Sequence, residues 1–132
     1  MWVLCDRPPI KDWSRGRITL LGDAAHPMLQ YLAQGACMAV EDAVCLTDQA
    51  VATEGDYASA FRAYQQARYL RTGRVQIMAR VYGEFYHAGG VAKELRNMML
   101  GSRTPDDAIA GMDWLYGEQK ELIGGGVGAT AK

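Results

Sequence analysis

The longest periodic pattern of apolar positions runs from Tyr57 to about His87 and predicts one long helix. Steps of four and three residues connect a row of positions on one face, and all but two are apolar or aromatic. The row consists of Tyr57, Phe61, Tyr64, Arg68, Arg71, Val75, Met78, Tyr82 and Phe85. The face is therefore a packing face. The two arginines favour ion pairs with a neighbouring helix, through Glu41 or Asp42, over an anion site.

Shorter helical patterns lie on both sides of the long one. Residues 35–53 are rich in alanine, which predicts a helix packed closely against another element. Residues 91–100 predict a third helix. Residues 105–116 predict a fourth, since Thr104 is a favourable N-cap before a proline and two acidic residues.

Two apolar segments near the start predict short strands, near residues 2–6 and 17–21. The expected fold class is mainly α with a short β element, an α+β piece. We expect residues 1–116 to form the folded part and residues 117–132 a flexible tail. The glycine run at 124–128 lacks a preceding strand and a following helix, so it does not predict a nucleotide-binding loop.

Composition narrows the class of protein. Hydrophobic residues make up 49 % and charged residues 22 % of the chain, which is typical of a globular protein. A net charge of −1 gives no general attraction to nucleic acid, and the apolar runs are shorter than the ~20 residues of a membrane span. The three cysteines lack metal-type spacing, and Cys37 and Cys45 fit small buried residues of a reducing compartment. We therefore expect a cytoplasmic protein without a metal site.

The richest chemistry lies between residues 16 and 35. A predicted strand stops at Gly22, the next residue is Asp23, and an apolar loop then leads to a helix that begins at Gly35. A strand end, a carboxylate and a helix N-terminus together are a common way to bind a polar cofactor. From the residues alone, a local turn capped by Asp23 is the more frequent arrangement, so both interpretations stay open.

The string Gly22-Asp23-Ala24-Ala25-His26-Pro27, followed by Gly35 and the alanine-rich helix, carries a resemblance. It resembles the second FAD-binding motif of the single-component FAD-dependent aromatic hydroxylases, the group A flavoprotein monooxygenases. Residues 26–43 most resemble the branch of the 3-hydroxybenzoate 6-hydroxylases and salicylate hydroxylases. Looser similarity extends over residues 2–117. The resemblance implies the C-terminal part of the Rossmann-like FAD/NAD(P)-binding domain of that fold, without its beginning.

The resemblance also implies cofactor-binding residues. Asp23 would accept hydrogen bonds from the ribityl hydroxyls of FAD. The amides of Ala36 and Cys37 would face the C2 carbonyl of the flavin, and the positive end of their helix would stabilise negative charge on the ring. Gly22 and Gly35 would complete the contact surface.

Gln30 is the candidate catalytic residue. Many members of the family resembled here have proline at this position, whereas the 3-hydroxybenzoate 6-hydroxylase branch has a glutamine that lies near the substrate. Its amide can both donate to and accept from a phenol or a carboxylate. His26, next to Pro27, is interpreted as structural.

The implied function is that of an FAD-dependent monooxygenase, which hydroxylates a phenolic acid such as 3-hydroxybenzoate or salicylate with O2 and either NADH or NADPH. The GxGxxG unit that binds the ADP part of FAD in that family is absent from the 132 residues. We therefore expect the chain to be inactive alone and to need that half or a complementing chain. The alternative is a stand-alone helical module for binding or homodimerisation, without catalysis.

Overall fold

The computed structural model describes residues 4–117, and this part is mainly helical with one small sheet, as the sequence predicts. The helices are α1 (Gly35–Ala52), α2 (Tyr57–Tyr86), α3 (Gly90–Gly101), α4 (Pro105–Ala110) and α5 (Asp113–Tyr116). The strands β1 (Ser14–Arg15) and β2 (Ile18–Thr19) are antiparallel, with Ser14 opposite Thr19. Two 3-10 turns, Gly22–Ala24 and Gln30–Leu32, lie between β2 and α1.

The prediction of strands was only partly right. Residues 4–10 form no strand, and the rest of the segment predicted near 2–6 lies outside the described residues. Proline cannot donate to a strand ladder, and Pro9 instead packs against α2, where a Cβ on Gly73 would approach its Cβ to 3.3 Å. Gly73 therefore lets α2 lie close to the N-terminal segment. The second strand is shorter than 17–21 because it pairs only within a tight hairpin.

The last predicted helix, 105–116, is divided in two. α4 begins at a capping box formed by Thr104 and Asp107 and ends before Gly111. Glycine is a poor helix former, and α5 starts again after Met112. The predicted tail lies outside the described residues, apart from Gly117.

The core lies where α2 packs on α1 and on the loops before it. One cluster joins Met38 of α1 with Val75 and Ala79 of α2 and with Leu115 of α5. A second joins Trp13, Ala25 and Tyr64. Most of the predicted packing face of α2 is therefore buried or half-buried, although Tyr57 at its start is 46 % exposed.

The buried side of α1 differs from its apolar side. Met38 and Asp42 are buried, whereas Val40 and Val44 are 65 % and 58 % exposed. These two valines therefore lie on the exposed side of α1 among residues 4–117. The charged residue is buried instead because it has partners on α2 and in the first 3-10 turn. Within the described part of the chain, every helix is too short or too polar to cross a bilayer.

Candidate functional site

Gly22 sets the geometry of the site at the end of the β2 segment. Its φ of +58° lies in the left-handed region, where a side chain is strained. A Cβ at this position would lie 3.2 Å from the Cβ of Ala39 on α1. Its amide donates to Oδ2 of Asp42 at 3.1 Å. A glycine here therefore lets the chain turn while its backbone lies directly against α1.

Asp23, the next residue, is exposed in the first 3-10 turn. Its Oδ1 lies 3.7 Å from the position that a Cβ on Gly35 would take. Within residues 4–117 its carboxylate accepts no hydrogen bond, so it does not cap the local turn. The structure therefore brings an open carboxylate to the first residue of α1.

The N-terminus of α1 is open as well. Gln34 at the N-cap makes no side-chain hydrogen bond to the helix, and the amide of Met38 is the first to reach back, to the carbonyl of Gln34 at 2.9 Å. The three preceding amides have no acceptor within the helix. Ala36 and Cys37 are exposed there, so the expectation that Cys37 is buried was wrong. This helix end carries partial positive charge.

Asp42 lies beneath the turn 22–26 and is fully buried. Its carboxylate accepts hydrogen bonds from both ends of that turn. Oδ2 receives Gly22 N–H and lies 2.5 Å from Nε2 of His26. Oδ1 receives Nε of Arg68 at 2.8 Å. His26 is fully buried, and its ring lies 5.6 Å from that of Trp13. The sequence interpretation of His26 as structural agrees with this burial, but its pairing with Asp42 was missed.

The predicted ion pairs of the α2 arginines are present. Nη1 of Arg68 and Nη2 of Arg71 contact Glu41 at 2.6 and 2.8 Å. Arg71 also donates to the carbonyls of Trp114 and Leu115, both at 3.1 Å. One cluster of charged side chains thus connects α1, α2 and the end of α5.

Both acidic members of the cluster are held in the charged form. Burial alone would raise the pKa of Asp42, but hydrogen bonds from His26 and Arg68 outweigh it and the pKa lies below its usual value. Burial alone would also raise the pKa of Glu41, but hydrogen bonds from Arg71 and Arg68 outweigh it, and its pKa is lowered. Since Asp42 is ionised, Nε2 of His26 carries the proton of their hydrogen bond.

Gln30 is exposed at the start of the second 3-10 turn. The next residue, Tyr31, packs so closely on α2 that a Cβ on Gly83 would lie 2.6 Å from its Cε2. Leu32 is buried, and Ala33 ends the turn in the left-handed region at φ 52°. The loop is therefore fixed on both sides of Gln30, although within residues 4–117 no hydrogen bond links Gln30 to Asp23.

Three further residues that hold the site were not foreseen. Arg7 donates to the carbonyls of Ala24 and Ala25 at 2.6 and 2.7 Å. Gln76 donates to the carbonyl of Pro27 at 2.8 Å, and Oε1 of Gln65 accepts from the amide of Trp13 at 2.8 Å. Local patterns carry no signal for them, since each contact joins positions at least 17 residues apart.

A groove of about 570 Å³ lies along α1, directly beside its first turn. Cys37, Val40 and Val44 line one side, and Arg71 and Tyr116 line the other. Among residues 4–117, His, Cys, Asp and Glu side chains do not gather in threes that could hold a metal ion.

Comparisons with known proteins agree on one family. Residues 7–76 match the model of a family described as an FAD binding domain. The chain is 53 % identical over 119 residues to 3-hydroxybenzoate 6-hydroxylase 1 of Aquipseudomonas alcaligenes, covering 89 % of this chain and 30 % of that protein. It is 49 % identical over 116 residues to 3-hydroxybenzoate 6-hydroxylase of Polaromonas naphthalenivorans, covering 88 % and 29 %.

A solved structure has the same fold over most of the chain. It is an HpxO variant from Klebsiella pneumoniae complexed with FAD, with a TM-score of 0.75 and 34 % sequence identity. The match covers 82 % of this chain and 28 % of that one. The chain thus spans about 30 % of the length of the curated relatives it matches.

Proposed function

Because the chain belongs to the FAD binding domain family of the flavoprotein aromatic hydroxylases, we propose that it forms the ribityl-binding and ring-binding part of an FAD-dependent monooxygenase. The observation that carries this proposal is the open carboxylate of Asp23 next to the open N-terminus of α1. The two groups offer opposite polarity: the carboxylate accepts hydrogen bonds, and the amides donate them.

The donor set fits FAD. The ribityl chain presents hydroxyl donors that suit Asp23, and the flavin C2 carbonyl is an acceptor that suits the amides of Ala36 and Cys37. The missing side chain of Gly22 lets the turn lie against α1, and that of Gly35 lets the carboxylate of Asp23 lie beside the first residue of the helix. The positive end of α1 favours negative charge on the ring. When bound, FAD supplies the redox chemistry, whereas this chain binds and orients it.

We propose a phenolic acid, such as 3-hydroxybenzoate or salicylate, as the substrate, and NADH or NADPH as the reductant. The proposed substrate is supported by the names of two similar proteins, both of which are 3-hydroxybenzoate 6-hydroxylases. Gln30 is exposed on a loop fixed by Tyr31, which suits an amide that orients a phenol or carboxylate.

We further propose that FAD binding needs a GxGxxG unit from outside these 132 residues, upstream or on a second chain. The chain spans only about 30 % of its relatives, and the exposed Val40 and Val44 on α1 offer an apolar surface for that unit. The chain alone is then inactive.

Titration with FAD, followed by flavin fluorescence, tests the proposal. FAD is added to the chain alone and to a longer protein that also contains the polypeptide encoded upstream of Met1. We expect tight quenching only in the combined protein, and Asp23→Ala should weaken binding there by about 10- to 150-fold, the loss of a charge-assisted hydrogen bond.

Asp12→Ala is the matched control, because Asp12 is an exposed aspartate outside the site. Binding that is equally strong in the wild type and in Asp23→Ala would overturn the proposed site. Tight binding by the chain alone would overturn its need for a second unit.

A helical module for binding or dimerisation, without catalysis, is the second candidate function. Its support is that α3 has no buried residue and exposes Leu95, Met98 and Met99. Size-exclusion chromatography of the chain distinguishes the two, because this module predicts a stable dimer without FAD and a monomer counts against it.

A further inference from the structure

We propose that Asp42 is the positioning residue of the FAD site: its buried carboxylate holds both ends of the turn 22–26 and thereby directs Asp23 toward the first turn of α1. This inference rests on the proposed function, since it assigns the residue through which Asp23 is oriented. Asp42 itself is fully buried and so does not touch the cofactor.

The contacts enclose Asp23 from both sides. Oδ2 of Asp42 accepts from the amide of Gly22, the residue before Asp23, at 3.1 Å. The same oxygen lies 2.5 Å from Nε2 of His26, three residues after Asp23. The turn is also closed by its backbone, because the amides of Ala25 and His26 donate to the carbonyl of Gly22 at 2.8 and 2.9 Å. Asp23 is exposed between these fixed ends.

Asp42 also fixes the turn relative to the helix amides. It lies seven residues after Gly35 on α1, which is about two helical turns, or about 10 Å, along the same rigid element. Nε of Arg68 holds its other oxygen at 2.8 Å. A single side chain therefore sets the distance between the two halves of the site, the carboxylate of Asp23 and the amides at the start of α1.

Stability alone is a weak reason for such a residue. Buried ion pairs often contribute no more than well-packed apolar side chains of similar size. An apolar side chain at position 42, however, would leave the amide of Gly22 and Nε2 of His26 without this acceptor. The turn therefore requires a carboxylate oxygen at this place, within reach of both the amide of Gly22 and Nε2 of His26.

A double-mutant cycle on FAD affinity tests the inference. The cycle uses Asp23→Ala, Asp42→Asn and the double variant, in the form of the protein that binds FAD tightly. If Asp42 acts through Asp23, Asp42→Asn weakens binding at least tenfold in the wild-type background and less than twofold in the Asp23→Ala background. An equal loss in both backgrounds would mean a general structural effect and would overturn the inference.

Glu41→Gln is the matched control for the cycle. Glu41 contacts the same Arg68 but makes no hydrogen bond to the turn. It should lower stability while changing FAD affinity less than twofold. A tenfold effect of Glu41→Gln would contradict a role specific to Asp42.

His26→Ala provides a second route if Asp42→Asn does not fold. It releases one end of the turn and leaves the contact with Gly22 in place. We expect a loss of FAD affinity of about fivefold that disappears in the Asp23→Ala background, and persistence of the loss would overturn the inference. If Asp23→Ala alone has no effect, the proposed site itself fails, which is a separate result.

Discussion

The contact between Gly83 and Tyr31 shows how one missing side chain can fix a loop. A Cβ at position 83 would approach the ring carbons of Tyr31 to 2.6 and 2.8 Å. Real Cβ atoms do not come so close, so either the ring or the helix would have to move. Because Tyr31 follows Gln30 directly, displacing the ring would also move Gln30.

We therefore predict that Gly83→Ala destabilises the protein by about 1–3 kcal/mol, the usual cost of overpacking. Unfolding in urea, followed by circular dichroism, measures the change. The matched control is Gly101→Ala at the end of α3, where a Cβ meets nothing within 4 Å. It should be neutral or slightly stabilising. Equal effects at the two positions would contradict the contact.

At the scale of elements, α1 and α2 are joined through a charged cluster in their shared interface. Asp42 and Glu41 of α1 meet Arg68 and Arg71 of α2. The pKa of each carboxyl is lowered in the folded protein. Burial opposes the shift, and it is outweighed by hydrogen bonds from His26 and Arg68 at Asp42 and from Arg71 and Arg68 at Glu41. Their contribution to stability is therefore complete above the ordinary pKa values and is lost as the pH falls through the lowered ones.

We predict that the free energy of unfolding decreases as the pH falls below the ordinary values of 4.5 for Glu41 and 3.8 for Asp42. Each group contributes a slope of at most about 1.4 kcal/mol per pH unit. Glu41→Gln removes one titrating group, so its acid slope should be shallower. Urea unfolding at several pH values measures both slopes.

Asp12→Asn is the control for this series, because Asp12 is exposed and lies outside the cluster. It should keep the wild-type slope. The N-cap residues Asp56 and Asp107 also have lowered pKa values, because they accept hydrogen bonds from Ser59 and Thr104, and they contribute equally to all variants. A Glu41→Gln slope equal to that of the wild type would contradict the prediction.

The helices α1, α2 and α3 could be predicted because helical periodicity is a local pattern. The acidic partners of the α2 arginines could be predicted from charge balance on a packing face. The period of α2 identifies its packing face, and two arginines on such a face need acidic partners nearby. The division after α4 was missed, although Gly111 is a helix-breaking signal. The pairing of His26 with Asp42 could not be predicted, because it joins a loop residue to a residue of α1, and only the fold brings the two together.

The buried side of α1 also could not be predicted from the sequence. Its valines and alanines have a regular helical period, yet Val40 and Val44 are exposed while Asp42 is buried. Periodicity reports which positions are apolar, but not which neighbour covers them. In a chain that spans about 30 % of its relatives, an apolar face can be complementary to a part that lies elsewhere. Under the proposed function, the exposed apolar face of α1 is the surface that the second unit covers.

At the scale of the whole molecule, the apolar side of α1 leads to a prediction about assembly. Val44 is 58 % exposed and lines the groove next to the proposed flavin contacts. Val44→Glu should leave the stability of the chain alone within about 0.5 kcal/mol, as is usual for an exposed position. In the protein that includes the GxGxxG unit, the buried glutamate would lack a partner, so FAD affinity should fall at least tenfold.

Thermal unfolding of the chain and FAD titration of the larger protein measure the two effects separately. Val91→Glu is the control, because Val91 is 71 % exposed in the first turn of α3, where an acidic residue is favourable. It should change neither quantity. If Val44→Glu leaves FAD affinity unchanged, the groove beside α1 faces solvent in the assembled protein. That result would overturn the proposal that Val40 and Val44 receive the second unit.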